Sequence, residues 1–346
     1  MGHGFETYDN AVYAKVGAWH GLGIVVEDAP TPLAALSIAE LDYHVDSWEM
    51  SATGLLAGPD GVSAAATLDC SAWKMNVRTD TTPPTQLGIV SENWQAIQNQ
   101  QHAEFCELLA EGDDVVKVES AGSLKNGAKV WFLLKGESFS VRGHVNDEVV
   151  PYILVSNGFD GKTGFNCTPT SIRVVCKNTF DLVLGDGLSQ GLDTAAFSCN
   201  HVGDVMRKVE DAKMALSLYG RSLDNSRQLI DRLAAKELTR EDVQQFFLQC
   251  YTRDFGAFVA NPQTRKEERS LNRSQDAFLS FSERFDSERA IAGTTAWNAF
   301  NSYTGWSQHR SFYKDATKER ERSVNSKLFG ADSDRSFETF KLALAI

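Results

Sequence analysis

Nowhere in the chain do two cysteines stand in CxxC spacing. Cys70, Cys106, Cys167, Cys176, Cys199 and Cys250 are spread through 346 residues. Six scattered thiols in a chain this long do not make a disulfide scaffold, so buried, reduced cysteines are expected. The seven histidines are equally dispersed, no zinc-ligand spacing occurs, and neither metal nor cofactor is expected. No apolar run approaches the roughly 18–20 residues that cross a bilayer. The opening MGHGFETYDN has neither a basic leader nor an apolar stretch, and Glu6 breaks the myristoylation pattern. A soluble, cytoplasmic protein with no membrane partner is the expectation. Also missing are the GxxxxGK[ST] phosphate loop, a GxGxxG after a strand, the GxSxG elbow and HExxH. Cys176 with His201 or His144 would make a nucleophile and base, but no spacing supports the pair. These absences move weight from an enzyme toward a binding or assembly protein.

What the chain has is ordinary globular composition, with 42% hydrophobic and 23% charged residues, and a net charge of −12. The charge is unevenly placed. Residues 1–170 hold 9 Lys+Arg against 22 Asp+Glu, a balance of −13, and residues 171–346 hold 25 against 24, or +1. An acidic first half does not suit wrapping by duplex DNA, which rewards a broad positive face, although a local basic groove remains compatible.

The length allows two domains, and the patterning divides near residue 198. The fold class predicted is α+β: an antiparallel, hairpin-rich sheet core over 1–198, then a mainly helical 199–346, either as two domains or packed as one unit. Thr31 caps a short helix with Pro32 in its first turn. Tyr43 to Trp48 and Trp73 to Arg78 alternate with period two, which places Lys74, Asn76 and Arg78 on one face. That face reads either as a basic surface or as the solvated side of an antiparallel sheet. Gln98 to Glu111 has helical spacing. Val130 to Leu134, VWFLL, is apolar on both faces and predicts a central strand, and Asn126-Gly127 supplies the turn before it. From Val202 to Leu233 the apolar residues follow a period near 3.5, which suits a long helix in a bundle or a subunit interface. Thr239 opens a further helix with Asp242 three residues on. Asn261 to Arg273 is the most polar stretch and reads as an exposed link. Trp297, Phe300, Tyr303 and Trp306 form an aromatic stripe that reads as core rather than as a base-stacking platform. A last helix runs through Phe337, Phe340 and Leu344.

The stretch Pro151 to Phe180, PYILVSNGFDGKTGFNCTPTSIRVVCKNTF, reads as strand, tight turn, strand, loop, strand and then a polar cluster, with Ile172 to Val175 as the last strand and Cys176 to Thr179 closing it. It gathers Lys162, Arg173, Lys177 and Asn178 around one hairpin system, donors that suit phosphate or carboxylate and equally suit a solvated sheet edge. With Lys74 and Arg78 these are the candidate nucleic-acid-binding residues. A second basic region comprises Arg310, Lys314, Lys318, Arg320 and Arg322, and with Lys327 the balance over residues 310–330 is +3.

Four blocks occur in order: WHGLG, AGSLKNGAKVWFLLKG, YILVSNGFDGKTGFNCTPTSIRVVCKNTF and GTTAWNAFNSYTGWSQHR. Together they resemble the phage/plasmid-related family built on domain of unknown function 932. The last block departs in detail, WNAFNSYTGWSQH standing where the family has a sequence closer to WGAYNAVTEYVDH. The resemblance implies a mobile-element protein without an assigned activity, acting in the host cytoplasm. Two functional expectations follow: single-stranded DNA binding or annealing in recombination or replication by a homo-oligomer, or an acidic host-interaction protein that imitates DNA. An enzyme of unassigned type is the third.

Overall fold

The computed structural model describes residues 11–14, 24–57, 63–110, 117–141, 143–173, 178–181, 197–204, 207, 227–256, 261–308 and 331–346. The architecture is α+β, with the strands concentrated in the first half and the helices in the second. Two compact units form. The first takes Met1–Lys135, Ile153–Cys167 and Phe197–Leu216; the second takes Gly136–Tyr152, Thr168–Ala196 and Ser217–Ile346.

In the first unit, β1 (Ala11–Ala14) lies between β2 (Ile24–Val26) and β6 (Lys117–Leu124). The turn at Lys125, Asn126 and Gly127, all with positive φ, folds β6 back onto β7 (Lys129–Lys135). On the other side of β7 come the last residues of β9 (His144–Gly158), then the first of β10 (Phe165–Arg173), which pairs with β12 (Phe197–Cys199). The central position expected for VWFLL is observed: β7 has a neighbour on each edge, and Val130, Trp131, Phe132 and Leu134 are buried. Each such side chain contributes about 1.5–3 kcal/mol by leaving water. The sheet is not purely antiparallel as the sequence suggested, because β1 and β2 pair in parallel, Val12 opposite Ile24. Parallel neighbours need a connection that returns the chain to the starting end of the first strand, which a tight hairpin cannot do, and residues 15–23 separate these two.

Two helices belong to this unit. Helix α1 (Pro32–Ile38) begins at Thr31, whose hydroxyl accepts the Ala34 N–H, with Pro32 at a position that needs no donor. Helix α2 (Asn99–Ala110) buries His102, Ala103, Phe105, Cys106 and Leu109. A separate three-stranded sheet is formed by β3 (Val45–Ala57), β4 (Ser63–Arg78) and β5 (Thr85–Ser91), in the order β3-β4-β5. Only the base of the β3–β4 hairpin has a third strand beside it, since β5 pairs with residues Trp73 to Arg78 of β4. Among the described residues, β3 and β4 pair only with each other from Ser51 outward, and both faces are open to solvent.

The second unit is built around aromatic helices. These are residues 227–235, α3 (Arg240–Phe255), α4 (Arg265–Ala292), α5 (Ala296–Gln308) and α6 (Ala331–Ala345). With them go β8 (Phe139–Val141), paired to the first residues of β9, and β11 (Asn178–Asp181), paired to the last of β10. Phe246, Phe247, Phe281, Trp297, Phe300 and Tyr303 are fully buried, so the aromatic stripe is core, as its spacing indicated. The capping box at Thr239 and Asp242 is present. The polar stretch Asn261 to Arg273 is not a link. Thr264 and Glu267 form a second capping box, and α4 continues unbroken for 28 residues. A cap of this kind contributes about 1 kcal/mol. The apolar residues that hold α4 in place, Ala277, Phe281 and Phe285, come only later along it. Val202 does not begin a helix; it bridges Trp94 as an extended residue. Residues 208–226, the greater part of the 3.5-period stretch, lie outside the described residues.

Candidate functional site

The block from Ser156 to Phe165 is heavily anchored within the first unit. Asn157 is buried and donates from Nδ2 to the Ile97 carbonyl at 2.7 Å. Phe159 is fully buried, meets Trp94 edge to face, and donates its N–H to the Ala128 carbonyl. Asp160 closes the turn. Its Oδ1 accepts the N–H groups of Lys162 at 2.9 Å and Thr163 at 2.7 Å, and its Oδ2 accepts the Thr163 hydroxyl at 3.1 Å, with the Lys129 ammonium 3.9 Å away. Burial opposes ionisation of Asp160, but these donors and the cation outweigh it and hold the carboxyl below its ordinary range.

Two glycines let the chain pass. Gly161 has φ +73°, and Gly158 runs so close to Thr163 that an added methyl group would stand 2.3 Å from the Thr163 Cβ. Gly158→Ala is therefore expected to cost about 1–3 kcal/mol through forced repacking, read as a lower denaturation midpoint with unchanged slope.

The three-stranded sheet meets this turn with its polar face. Asn76 is fully buried; Nδ2 donates to the Phe159 carbonyl at 2.9 Å and Oδ1 accepts the Ser47 hydroxyl at 2.8 Å. Arg78 is only 4% exposed. Its guanidinium holds Asp80 by two bonds, 2.7 and 2.9 Å, and lies 3.9 Å from the centre of the Tyr43 ring. Lys74 is half-buried, directly opposite Glu49 on β3. The alternation read from the sequence is real, but the face is reversed. Asn76 and Arg78 point inward because polar backbone and carboxylate partners wait there. The sides of Trp48, Trp73, Met75 and Ile89 form the opposite, outward face, of which Val77 alone is covered. Arg78 is thus a structural cation and not a free phosphate contact.

The other candidates separate. Lys162 is exposed, and its backbone serves the Asp160 turn. Arg173 and Asn178 stand directly opposite each other where β10 and β11 pair, Thr170 to Arg173 against Asn178 to Asp181. Lys177 lies outside the described residues, as do Arg310, Lys314, Lys318, Arg320 and Arg322.

His201 is buried against Trp94, the rings stacked at 4.7 Å. Its Nδ1 donates to the Gln95 carbonyl at 2.9 Å, which fixes the tautomer, and burial pushes its pKa down against the pull of that bond and of Asp160. It is held as a packed ring. Cys176, its imagined nucleophile partner, lies outside the described residues. Cys167, a half-exposed residue, has its thiol pushed up to about 12 by burial, and the buried Cys106 is also raised, so neither supplies thiolate at neutral pH.

Sequence reasoning missed the outward apolar face of the β3–β4 hairpin and the buried partners of Asn76. The run VSAAATLDCSAW, almost without charge, was the available signal for the first. No curated protein and no solved structure matches the chain. The family described as Domain of unknown function (DUF932) matches residues 86–329, from the start of β5 through α5 and beyond. This covers well over half of the sequence, and the chain belongs to that family.

Proposed function

We propose that the chain is a non-enzymatic, phage- or plasmid-encoded DNA-metabolism protein that holds single-stranded DNA, through the closed end of the β10–β11 hairpin, for recombination or replication. The observation that supports this reading is the register that sets Arg173 opposite Asn178, with Lys177 next to Asn178 in the sequence. An arginine, a lysine and an asparagine within six residues of sequence supply donor types that phosphate oxygens accept, and such backbone binding leaves the bases free to pair. Lys162, exposed at the Asp160 turn, is a separate candidate cation, and Arg78 does not take part.

The test is the anisotropy of a labelled single strand titrated at several salt concentrations. The expected outcome for the double variant Arg173→Ala, Lys177→Ala is weaker binding. Its log–log salt slope should be shallower by about 1.4, at roughly 0.7 per lost phosphate contact, with an unchanged circular dichroism spectrum. Wild-type affinity that does not change with salt would remove the reading. A second reading, an acidic host-interaction protein, is favoured by the −13 balance of residues 1–170. It predicts capture of a basic host protein in stoichiometric amount and no affinity for the strand.

A further inference from the structure

The first turns of α4 carry cations that the fold itself does not use. Arg265, Lys266, Arg269 and Arg273 are all exposed. At roughly 3.6 residues per turn they fall within about 100° of arc on one side of the helix. Arg265, Arg269 and Arg273 make a row with steps of about 6 Å. Within it, Arg273 Nε donates to the Arg269 carbonyl at 3.2 Å. Ser274 is the first buried residue of the helix, so the row lies ahead of the stretch that packs.

Such a row works against the helix that carries it. Like charges at i and i+4 repel, and cations in the first turn oppose the helix dipole. Nothing within the fold offsets this. Among the described residues none of the four forms an ion pair, although acids outnumber bases by 46 to 34 in the chain. Glu267 is turned back to the cap, where its carboxylate accepts the N–H groups of Gln263 at 2.6 Å and Thr264 at 3.0 Å. Glu268 stands beside the row, and Asp276 stands on it one turn past Arg273 and marks its end. Neither carboxylate forms an ion pair with the row. The helix end proper is closed by its capping box, so the feature is the row of side chains and not the N-terminus.

We propose that this row docks the phosphate backbone of a single nucleic-acid strand. Complementarity of charge and form selects that occupant. Three of the four cations are arginines, whose planar fork takes two oxygens of one phosphate. Cations repeated at regular steps fit an anion that recurs along a line, which a lone small anion does not. A duplex rewards a broad positive face, and a chain of net charge −12 with one narrow basic row suits a strand instead. The inference rests on the reading of the chain as strand-binding, but not on the contact at the β10–β11 hairpin end.

The experiment is the anisotropy of a labelled single strand bound by the full chain across a salt series, with duplex and poly-glutamate as competitors. The test variant combines Arg265→Gln, Lys266→Gln, Arg269→Gln and Arg273→Gln, all to a good helix former. A control of equal charge combines Lys117→Gln, Arg207→Gln, Arg232→Gln and Arg240→Gln, exposed sites scattered along the chain. The log–log salt slope of the test variant is expected to be shallower by about 2.8, at roughly 0.7 per lost phosphate contact. Its affinity at low salt is expected to fall by about tenfold or more, while the control stays near wild type. Its thermal midpoint should equal or exceed that of the wild type, because the repulsion along the row is relieved. A wild-type slope in the test variant, an equal loss in the control, or a clearly lower midpoint each overturns the inference. Each does so even where Arg173→Ala with Lys177→Ala weakens binding. Competition by duplex or poly-glutamate as strong as that of a strand of equal charge overturns it too. Where the α4 variant loses binding and the Arg173, Lys177 variant does not, the row stands and the hairpin contact falls. A wild type that binds no strand removes both.

Discussion

Trp297→Ala is expected to cost about 3–5 kcal/mol at neutral pH, the range for truncating a fully buried tryptophan whose neighbours collapse only in part. Trp297 has no exposed surface and stacks on Phe300, ring centres 5.7 Å apart, at the start of α5. Its indole Nε1–H donates to Asp147 Oδ2 at 2.9 Å, and Asp147 is itself fully buried on the part of β9 that belongs to the helical unit. Two separable losses are therefore combined in the alanine variant: a cavity in the aromatic core, and the removal of a donor from a buried carboxylate. Trp297→Phe isolates the second, since it keeps most of the ring volume and deletes the N–H. It is expected to cost about 1–3 kcal/mol, the usual range for depriving a buried charged group of one hydrogen bond. Urea denaturation followed by far-UV circular dichroism reads both. Equal losses for the two variants would mean that the hydrogen bond, and not the packing, carries the position. A loss under 1 kcal/mol for Trp297→Ala would contradict the described core.

The contrast between this position and the β4 strand shows what was legible in the sequence. Trp297, Phe300, Tyr303 and Trp306 lie on one helix at spacings of three and four, so their shared face follows from the backbone geometry alone. The same holds for Thr31 before Pro32, for Asn126-Gly127, and for Thr239 with Asp242, each satisfied by a partner within a few residues. Asn76 and Arg78 are different. The period of two was plain, but which side faced inward depended on the Phe159 carbonyl, 83 residues away, and on the Tyr43 ring. Hydrophobicity alone suggested the opposite orientation. The Thr264 and Glu267 pair in NPQTRKEERSLNR was also written in the sequence, but the polar composition around it outweighed a signal of two residues. In the candidate site, the strand through Ile172 and Arg173 was readable, but its pairing with Asn178 to Asp181 was not, because Cys176 to Thr179 read as a polar cluster closing the strand. The Asp160 turn was readable as Asp-Gly. Its role as the anchor on which β4 and Lys129 converge was not, because those contacts join distant parts of the chain. Among the residues described, the family block around Asn157 to Gly164 is accounted for by packing and hydrogen bonding.

Acid is expected to destabilise the sheet unit at a pH well above that at which ordinary carboxylates titrate, and His102 is the main reason. The ring is fully buried on α2, edge-on to Phe132 at 4.9 Å and to Phe165 at 5.3 Å. It sits beside the Val155 backbone, with neither nitrogen in good hydrogen-bond geometry. Burial therefore disfavours the imidazolium, and the pKa falls to about 3. The sign follows from proton counting. Between about pH 6.5, where the unfolded chain takes up this proton, and about pH 3, where the folded one does, the unfolded state holds more protons. Stability must then rise with pH across that window and be lost as pH falls through it, by on the order of 5 kcal/mol for this group in total. His201, also lowered, acts in the same direction, while the depressed Asp160 adds a loss that begins only near the ordinary carboxylate range. His102→Leu keeps an apolar side chain of similar size among the same phenylalanines and removes the titrating group. Its denaturation free energy is expected to match or exceed wild type at pH 7, and to decline much less between pH 6.5 and 4.5, where Asp160 contributes little. Parallel pH profiles for the two proteins would show that the ring is not held neutral, and would require either a hydrogen-bond partner for the imidazolium or water beside it in the folded state.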